Sequence, residues 1–501
     1  MSISLILVTN YTIRRRIANL HPNIIWTSMS NRFFDFGMIG LGVMGRNLLL
    51  NMADHGFSVI GFDKDTEKAS ALEAAATQGT TVKGVTTLEE MVQQLQTPRK
   101  LMMLVPAGKP VDDVIESLLP LVAKGDIIID GGNSHYTDTL RRVTYLEEKG
   151  IHFMGMGVSG GEHGARTGPS MMPGGDLEAF RQIKPLLEAI AAKANGEPCT
   201  AYMGKGAAGH YVKMVHNGIE YAIMQLISEV YDLLKRGLNL TNDDLYTVFK
   251  DWNEGELQSY LVEITRDIFV QPDPETNHRL LDVILDKAGS KGTGKWTSQD
   301  AMELPVSIPT IDAAVALRTL SAYKEERVIA AALYKPAIIP VSTDKQAFIQ
   351  LVGEALYFAT VICYAQGLAM LHKASAELNM DIPLQDVVKS WRGGCIIRSL
   401  SLETFYRAYQ ANPQLANVLL NGRIAELLQA KEQSIRTVIA QATHSKIAVA
   451  ALSISLAYFD AYTTERMPTN LIQAQRDYFG AHTYERTDKE GKFHTEWNAG
   501  E

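Results

Sequence analysis

The chain predicts an α/β domain with a parallel sheet, followed by an all-α domain that repeats internally and ends in a tail. Three observations carry this. Residues 34–63 read as strand, Gly-x-Gly-x-x-Gly turn, helix and second strand. From about residue 205 the alternation of short strands gives way to long stretches of helical apolar period. Two segments, 238–255 and 378–394, share four residue types at one constant offset.

Composition sets the outer bounds. The 501 residues are 46% hydrophobic and 21% charged, an ordinary globular balance whose length suggests two or more domains. A net charge of −8 and a pI near 5.9 argue against a general nucleic-acid or membrane-surface role. They leave room for a local basic pocket that takes a phosphorylated metabolite. Cys199, Cys363 and Cys395 are scattered without a CxxC pair, which fits reduced thiols in a cytoplasmic protein. No uninterrupted run of about 18 apolar residues suggests a spanning helix. Residues 1–33 are expected to be an N-terminal extension, disordered or mis-annotated, because Met29 is a natural start just before the first strand.

In the first domain, expected over 34–207, the turn carries Gly40, Gly42 and Gly45. The first glycine permits the turn, the second lets the backbone approach a pyrophosphate, and the third lets helix and strand pack. The apolar strand before it and the second strand ending at Asp63 make this a Rossmann-type dinucleotide site. An acidic residue such as Asp63 usually holds a ribose 2′-hydroxyl, whereas Lys64 and Thr66 suit a 2′-phosphate. A surface turn merely capped by Asp63 is the plainer alternative. The runs 100–108 and 126–134 read as later parallel strands whose C-terminal ends line the cofactor crevice. The cofactor-contact candidates are Gly40, Leu41, Gly42, Val43, Met44, Gly45, Asp63, Lys64, Asp65, Thr66, Val105, Pro106, Ala107 and Asn133. Asn133 and the Ser159–Gly160–Gly161 cluster also suit contacts to a polar ligand.

The second domain, expected over 208–465, shows helical period at 209–236, 257–271, 310–334, 346–376 and 444–460. Its repeat aligns Val248 with Val387, Lys250 with Lys389, Trp252 with Trp391 and Gly255 with Gly394. Those matched residues read as core or turn positions. Arg392, unmatched in the first copy, is left open.

The helix opening this domain, "GHYVKMVHNGIEY", places His216, Asn217 and Glu220 three, four and seven positions beyond Lys213. All four therefore share one face. Alone, such a stripe is more often a solvated surface. Here it follows a dinucleotide domain and is chemically sufficient for alcohol oxidation: a base, an acid and an orienting amide. Lysine is protonated at neutral pH, so the base role needs burial or a neighbouring cation to lower its pKa. No His/Cys/Asp cluster has metal-ligand spacing.

Together with "GLGVMGRNL", "DGGNS", "VSGGEHGAR", "KGTGKW" and "QRDYFGAHTYER", that helix resembles the decarboxylating 6-phosphogluconate dehydrogenases over roughly residues 34–490. The resemblance implies that Lys213 is the general base and Glu220 the general acid. It implies that Asn133, Ser159, Gly160, Gly161, His216, Asn217 and Tyr221 hold the sugar acid. Lys291, Thr293 and Arg318 would bind its phosphate, joined by Arg476 and His482 from the tail, residues 466–501, of a second subunit. It further implies a homodimer making ribulose 5-phosphate, CO₂ and NADPH; because hydrogen bonds can stabilise the enolate left by decarboxylation, no metal is expected. The family usually has Asn-Arg-Thr after the second strand. The resemblance implies NADP, but here the residues are Asp63-Lys64-Asp65-Thr66: Asp adds charge that repels a 2′-phosphate and Lys loses the bidentate fork of Arg, so NAD stands as the alternative cofactor. Rival readings are a 3-hydroxyisobutyrate-type dehydrogenase, which is shorter and lacks the tail, and a non-catalytic dinucleotide sensor.

Overall fold

The structure, a computed structural model, describes residues 33–497. The N-terminal extension expected at 1–33 therefore lies, apart from Phe33, outside the described residues. Seven strands form the first domain: β1 (Phe36–Ile39), β2 (Val59–Phe62), β3 (Val82–Val85), β4 (Lys100–Met103), β5 (Ile127–Asp130), β6 (His152–Ser159) and β7 (Ser170–Gly175). Their order is β3-β2-β1-β4-β5-β6-β7. All neighbours pair parallel except β6 and β7, which are antiparallel.

The seven helices that follow these strands in turn are α1 (Val43–Asp54), α2 (Thr66–Ala74), α3 (Leu88–Gln93), α4 (Lys109–Leu118), α5 (Tyr136–Glu147), α6 (Gly161–Thr167) and α7 (Leu177–Ile190). Strands buried on both faces explain the unbroken apolar runs FGMI and VIGF. The order reverses between β1 and β4, and a dinucleotide binds at such a switch point.

The long helix α8 (Ala208–Asp232) joins the domains and continues as a π-helical turn, Leu233–Gly237. Its start presses onto the sheet. A Cβ at Gly209 would lie 2.1 Å from the Gly155 carbonyl of β6, so a larger residue would push the helix off. A 33-residue helix, Lys345–Glu377, packs along α8, with Gly367 set against Ile219 and Val215. It is apolar and long enough to cross a membrane by composition alone, with a mean hydropathy of 1.5. Yet 67% of that stretch is buried inside the protein, where it forms the helical core.

The repeat appears as a succession. Helix Asn242–Asn253 follows α8 as helix Leu384–Trp391 follows Lys345–Glu377. Val248, Val387 and Trp391 are buried, as expected of core positions. Two expected spans divide. Residues 310–334 form two helices, Pro309–Ser321 and Lys324–Tyr334. The last begins at Ala450, because Lys446 in the left-handed region (φ 59°) ends the preceding helix. Periodicity marks the apolar face but not these turns.

Candidate active site

A groove of about 490 Å³ opens at the switch point, lined by Gly40, Gly42, Asp63, Lys64, Val105 and Pro106 among others. Gly40 has φ +93°, and a Cβ there would stand 2.5 Å from the Leu104 carbonyl. A Cβ at Gly45 would collide with the Gly40 carbonyl at 1.9 Å, so α1 could not approach β1. Above Gly42 nothing lies within 4 Å. The first turn of α1 has no side-chain cap and no acidic residue, so its amides are left to meet an anion.

Asp63 is not a loose surface acid. Its carboxylate accepts the Leu41 amide at 2.8 Å and the Asp65 amide at 2.9 Å, and Lys68 stands 3.5 Å away. Burial opposes the charge, but these donors and Lys68 prevail and hold its pKa below the usual value. Asp63 thus braces the glycine turn while lining the groove.

Several candidates face elsewhere. Leu41 points into the core, Asp65 caps α2 through the Glu67 amide, and Thr66 and Ala107 are exposed beside the groove rather than in its wall. Val43, Met44 and Gly45 contribute backbone at the start of α1. Lys68 and the α4 residues Pro110, Asp113, Val114 and Ser117, absent from the candidates above, also line the groove. Their spacing of three, four and seven is one helical face, a signal present in the sequence.

Asn133 follows β5 in a turn braced from beneath. Asp130 accepts the Gly132 amide at 2.9 Å and the Ser134 hydroxyl at 2.6 Å. Buried Arg142 donates to the Gly108 carbonyl (3.0 Å) and to Ser134 (3.3 Å), tying the loops after β4 and β5 together.

On α8 the polar face is buried rather than wet. Lys213 is 7% exposed and His216 is fully buried, whereas Glu220 keeps 21% of its side chain open. The Lys213 stem lies across Gly157 of β6, where a Cβ would be 2.4 Å away. Ser159 Oγ stands 3.5 Å from His216 Nε2, and His216 Nδ1 lies 3.1 Å from Asn217 Oδ1 and 3.9 Å from Glu220. Asn217 donates to Thr293 Oγ1 at 3.1 Å. Gly160 (φ +122°) closes against the Gly394 carbonyl, which brings Gly161 and the second repeat to the same cleft.

Burial moves the two key pKa values toward each other. It lowers that of Lys213, against the opposing pull of Glu220 and Cys395. It raises that of Glu220, against Lys213 and Arg318. His216 falls well below its ordinary value through burial and then Lys213, so it is neutral. Burial thus eases loss of a proton from Lys213 and its retention on Glu220, two groups that feel each other's charge on one helix face.

The Arg318 guanidinium stacks 3.6 Å over the Tyr221 ring, and a Cβ at Gly294 would meet that ring at 2.4 Å. Thr293 opens helix Thr293–Glu303 beside exposed Lys291. Arg392, left open above, pairs with Glu197 and Glu403 and so braces the domain junction. Within this chain, Arg476 and His482 are exposed on a tail bonded to itself. Its buried Asp477 accepts from Thr483, His494, Thr495 and Trp497.

Comparison with known proteins agrees with this geometry. Residues 35–215 match the family model for the NAD binding domain of 6-phosphogluconate dehydrogenase, and residues 209–497 match its C-terminal domain. The NADP(+)-dependent, decarboxylating 6-phosphogluconate dehydrogenase of Bacillus subtilis is 53% identical over 92% of this chain and 98% of its own. The decarboxylating Escherichia coli enzyme is 48% identical over the same shares. The Plasmodium falciparum 6-phosphogluconate dehydrogenase, solved apo, with its cofactor NADP+ and with its substrate 6-phosphogluconate, superposes with a TM-score of 0.90 at 44% identity. That match covers 92% of this chain and all of the other. The chain belongs to the 6-phosphogluconate dehydrogenase family.

Proposed function

We propose that the protein oxidises and decarboxylates 6-phospho-D-gluconate to D-ribulose 5-phosphate and CO₂ with NADP, in the cytoplasm, as a step of the pentose phosphate pathway. The observation that carries this reading is the buried Lys213–Glu220 pair with oppositely displaced pKa values, on the helix that packs its start against β6 of the nucleotide-binding domain. Neutral Lys213 takes the proton of the substrate's 3-hydroxyl. NADP, held at the turn of Gly40, Gly42 and Gly45, would supply the acceptor for the hydride that leaves C3. The resulting 3-keto acid loses CO₂, and the electrons of the broken bond move into the adjacent carbonyl. Lys213, now protonated, stabilises the enolate oxygen. Glu220 then delivers its proton to the carbon that becomes C1 of the product.

Asn133, Ser159, Gly160, Gly161, His216, Asn217 and Tyr221 surround the sugar acid, while Lys291, Thr293 and Arg318 take the phosphate. Arg476 and His482 complete that site from a partner's tail in a homodimer. The self-contained tail and exposed apolar residues such as Leu471, Phe479, Ile329 and Leu333 support this arrangement. For the cofactor, Lys64 and Lys68 on the groove wall favour a 2′-phosphate and offset Asp63.

One assay tests the whole reading. kcat/KM is measured with 6-phosphogluconate for NADP and NAD, in the native chain and in Arg476→Ala and His482→Ala. The expected result is CO₂ release, NADP preference and a raised substrate KM in both variants. No turnover of 6-phosphogluconate, or turnover of 3-hydroxyisobutyrate instead, would overturn the assignment. Unchanged KM in both variants would remove the shared site.

A further inference from the structure

Asp300 lies two turns along the helix that Thr293 opens, 8% exposed, and is assigned no part in the chemistry above. Two tyrosines donate to it. Tyr136 Oη reaches Oδ1 at 2.5 Å, and Tyr211 Oη reaches Oδ2. The two phenol rings meet edge to face at 5.0 Å. Beside them His135 meets Trp296 at 4.9 Å, also edge-on.

The chain positions give this cluster its meaning. Tyr136 opens α5, three residues beyond Asn133, and so belongs to the cofactor domain's turn. Asp300 belongs to the helical domain, seven residues beyond Thr293 and therefore on the same helix face. Between them Thr297 donates to the Met214 carbonyl of α8 at 2.9 Å and packs into the notch left by Gly218. That helix is thus fixed to the base-bearing α8 by Thr297 and to the cofactor domain by Asp300. Hydroxyl-to-carboxylate bonds this short are charge-assisted and hold geometry more firmly than neutral ones.

We infer that Asp300 is a positioning residue which, through Tyr136, latches the turn carrying Asn133 to the helix carrying Thr293. The latch fixes the gap between the nucleotide groove and the Lys213 face across which hydride moves. It rests on the reaction proposed above. Small errors in that gap fall on the hydride step rather than on binding.

The test compares Tyr136→Phe with Tyr211→Phe. Each removes one hydroxyl from the same carboxylate and keeps the ring, but only the first breaks the bond from Asp300 to the cofactor domain. Tyr136→Phe is expected to lower kcat/KM about ten-fold, the loss of one charge-assisted bond. It should also raise the primary deuterium isotope effect measured with 3-deuterated 6-phosphogluconate, with cofactor affinity unchanged. Tyr211→Phe should lower Tm with a smaller kinetic change. A native kcat/KM and isotope effect in Tyr136→Phe would overturn the latch, as would equal Tm losses with no kinetic change in either variant. Hydrogen exchange of the amides at 131–136 supplies a readout independent of turnover. Faster exchange in Tyr136→Phe supports the latch, and unchanged exchange sinks it. If the native protein does not turn over 6-phosphogluconate, the substrate reading fails while the exchange result still decides the latch.

Discussion

Two glutamates on α8 carry the same chemistry into burial and come out with different roles. Glu220 and Glu229 are nine residues apart, about 180° around a helix, so they face opposite ways. Burial raises the pKa of both. Glu229, 4% exposed, accepts the amides of Ala451 at 2.8 Å and Leu452 at 3.0 Å, and Gln225 at 3.0 Å. Its oxygens are filled by the start of helix Ala450–Tyr462, and it is a structural peg. Glu220 has no such backbone donors among the described residues, feels the charges of Lys213 and Arg318, and keeps 21% of its side chain open. A raised pKa therefore marks burial, and the partners decide whether the proton is usable.

The comparison can be broken most sharply at the base. Lys213→Ala should lower kcat by about 10³-fold, the middle of the range for a lost general base, with cofactor affinity intact. Retained turnover would return the polar face to a merely structural role. Next, Glu220→Gln should lower kcat by about 10²-fold. In the native protein, kcat/KM against pH should be bell-shaped, with both limbs inside the interval from 4.5 to 10.5, since each group is displaced inward from its ordinary value. In Glu220→Gln one limb should remain and should rise with pH, because Lys213 must lose its proton to act. A surviving bell would assign the second limb to another group.

The smallest effect on activity is expected at the peg. Glu229→Gln keeps the volume but replaces one acceptor by a donor facing a backbone N–H. It should destabilise by about 2 kcal/mol while kcat per folded molecule is unchanged. The sign of its pH dependence follows from linkage. The native state holds the Glu229 proton more tightly than the unfolded chain does, so the stability tied to that proton is fully present below 4.5. It is lost as pH rises through the native value. The gap between native and variant in denaturant melts should thus narrow as pH rises, and a gap that widens would contradict a raised pKa.

Much of the site was legible because it is local. The glycine turn declared itself by strand and helix on either side, and the Lys213–Glu220 face by helical spacing. The face of α4 lining the groove carried the same signal and was readable too. What local pattern could not give was direction and partnership across the chain. The sequence suits Asp63 to a ribose contact but does not show that its oxygens also accept the Leu41 and Asp65 amides, which depends on how β1 and β2 lie side by side. Arg392 resolved into a junction ion pair because Glu197 and Glu403 converge only in the folded chain.

By itself, then, the sequence determined the order of elements, the phosphate turn, the duplicated helices and the face on which an acid and a base lie. These follow from backbone geometry and apolar period, which are properties of short stretches. Tertiary structure alone decided that this face is buried, which is what displaces the pKa values of Lys213 and Glu220. It also decided that Glu229 is a peg and that Asp300 joins Tyr136 to Tyr211. The physical reason is desolvation: how much water a charged group loses depends on residues brought from far along the chain.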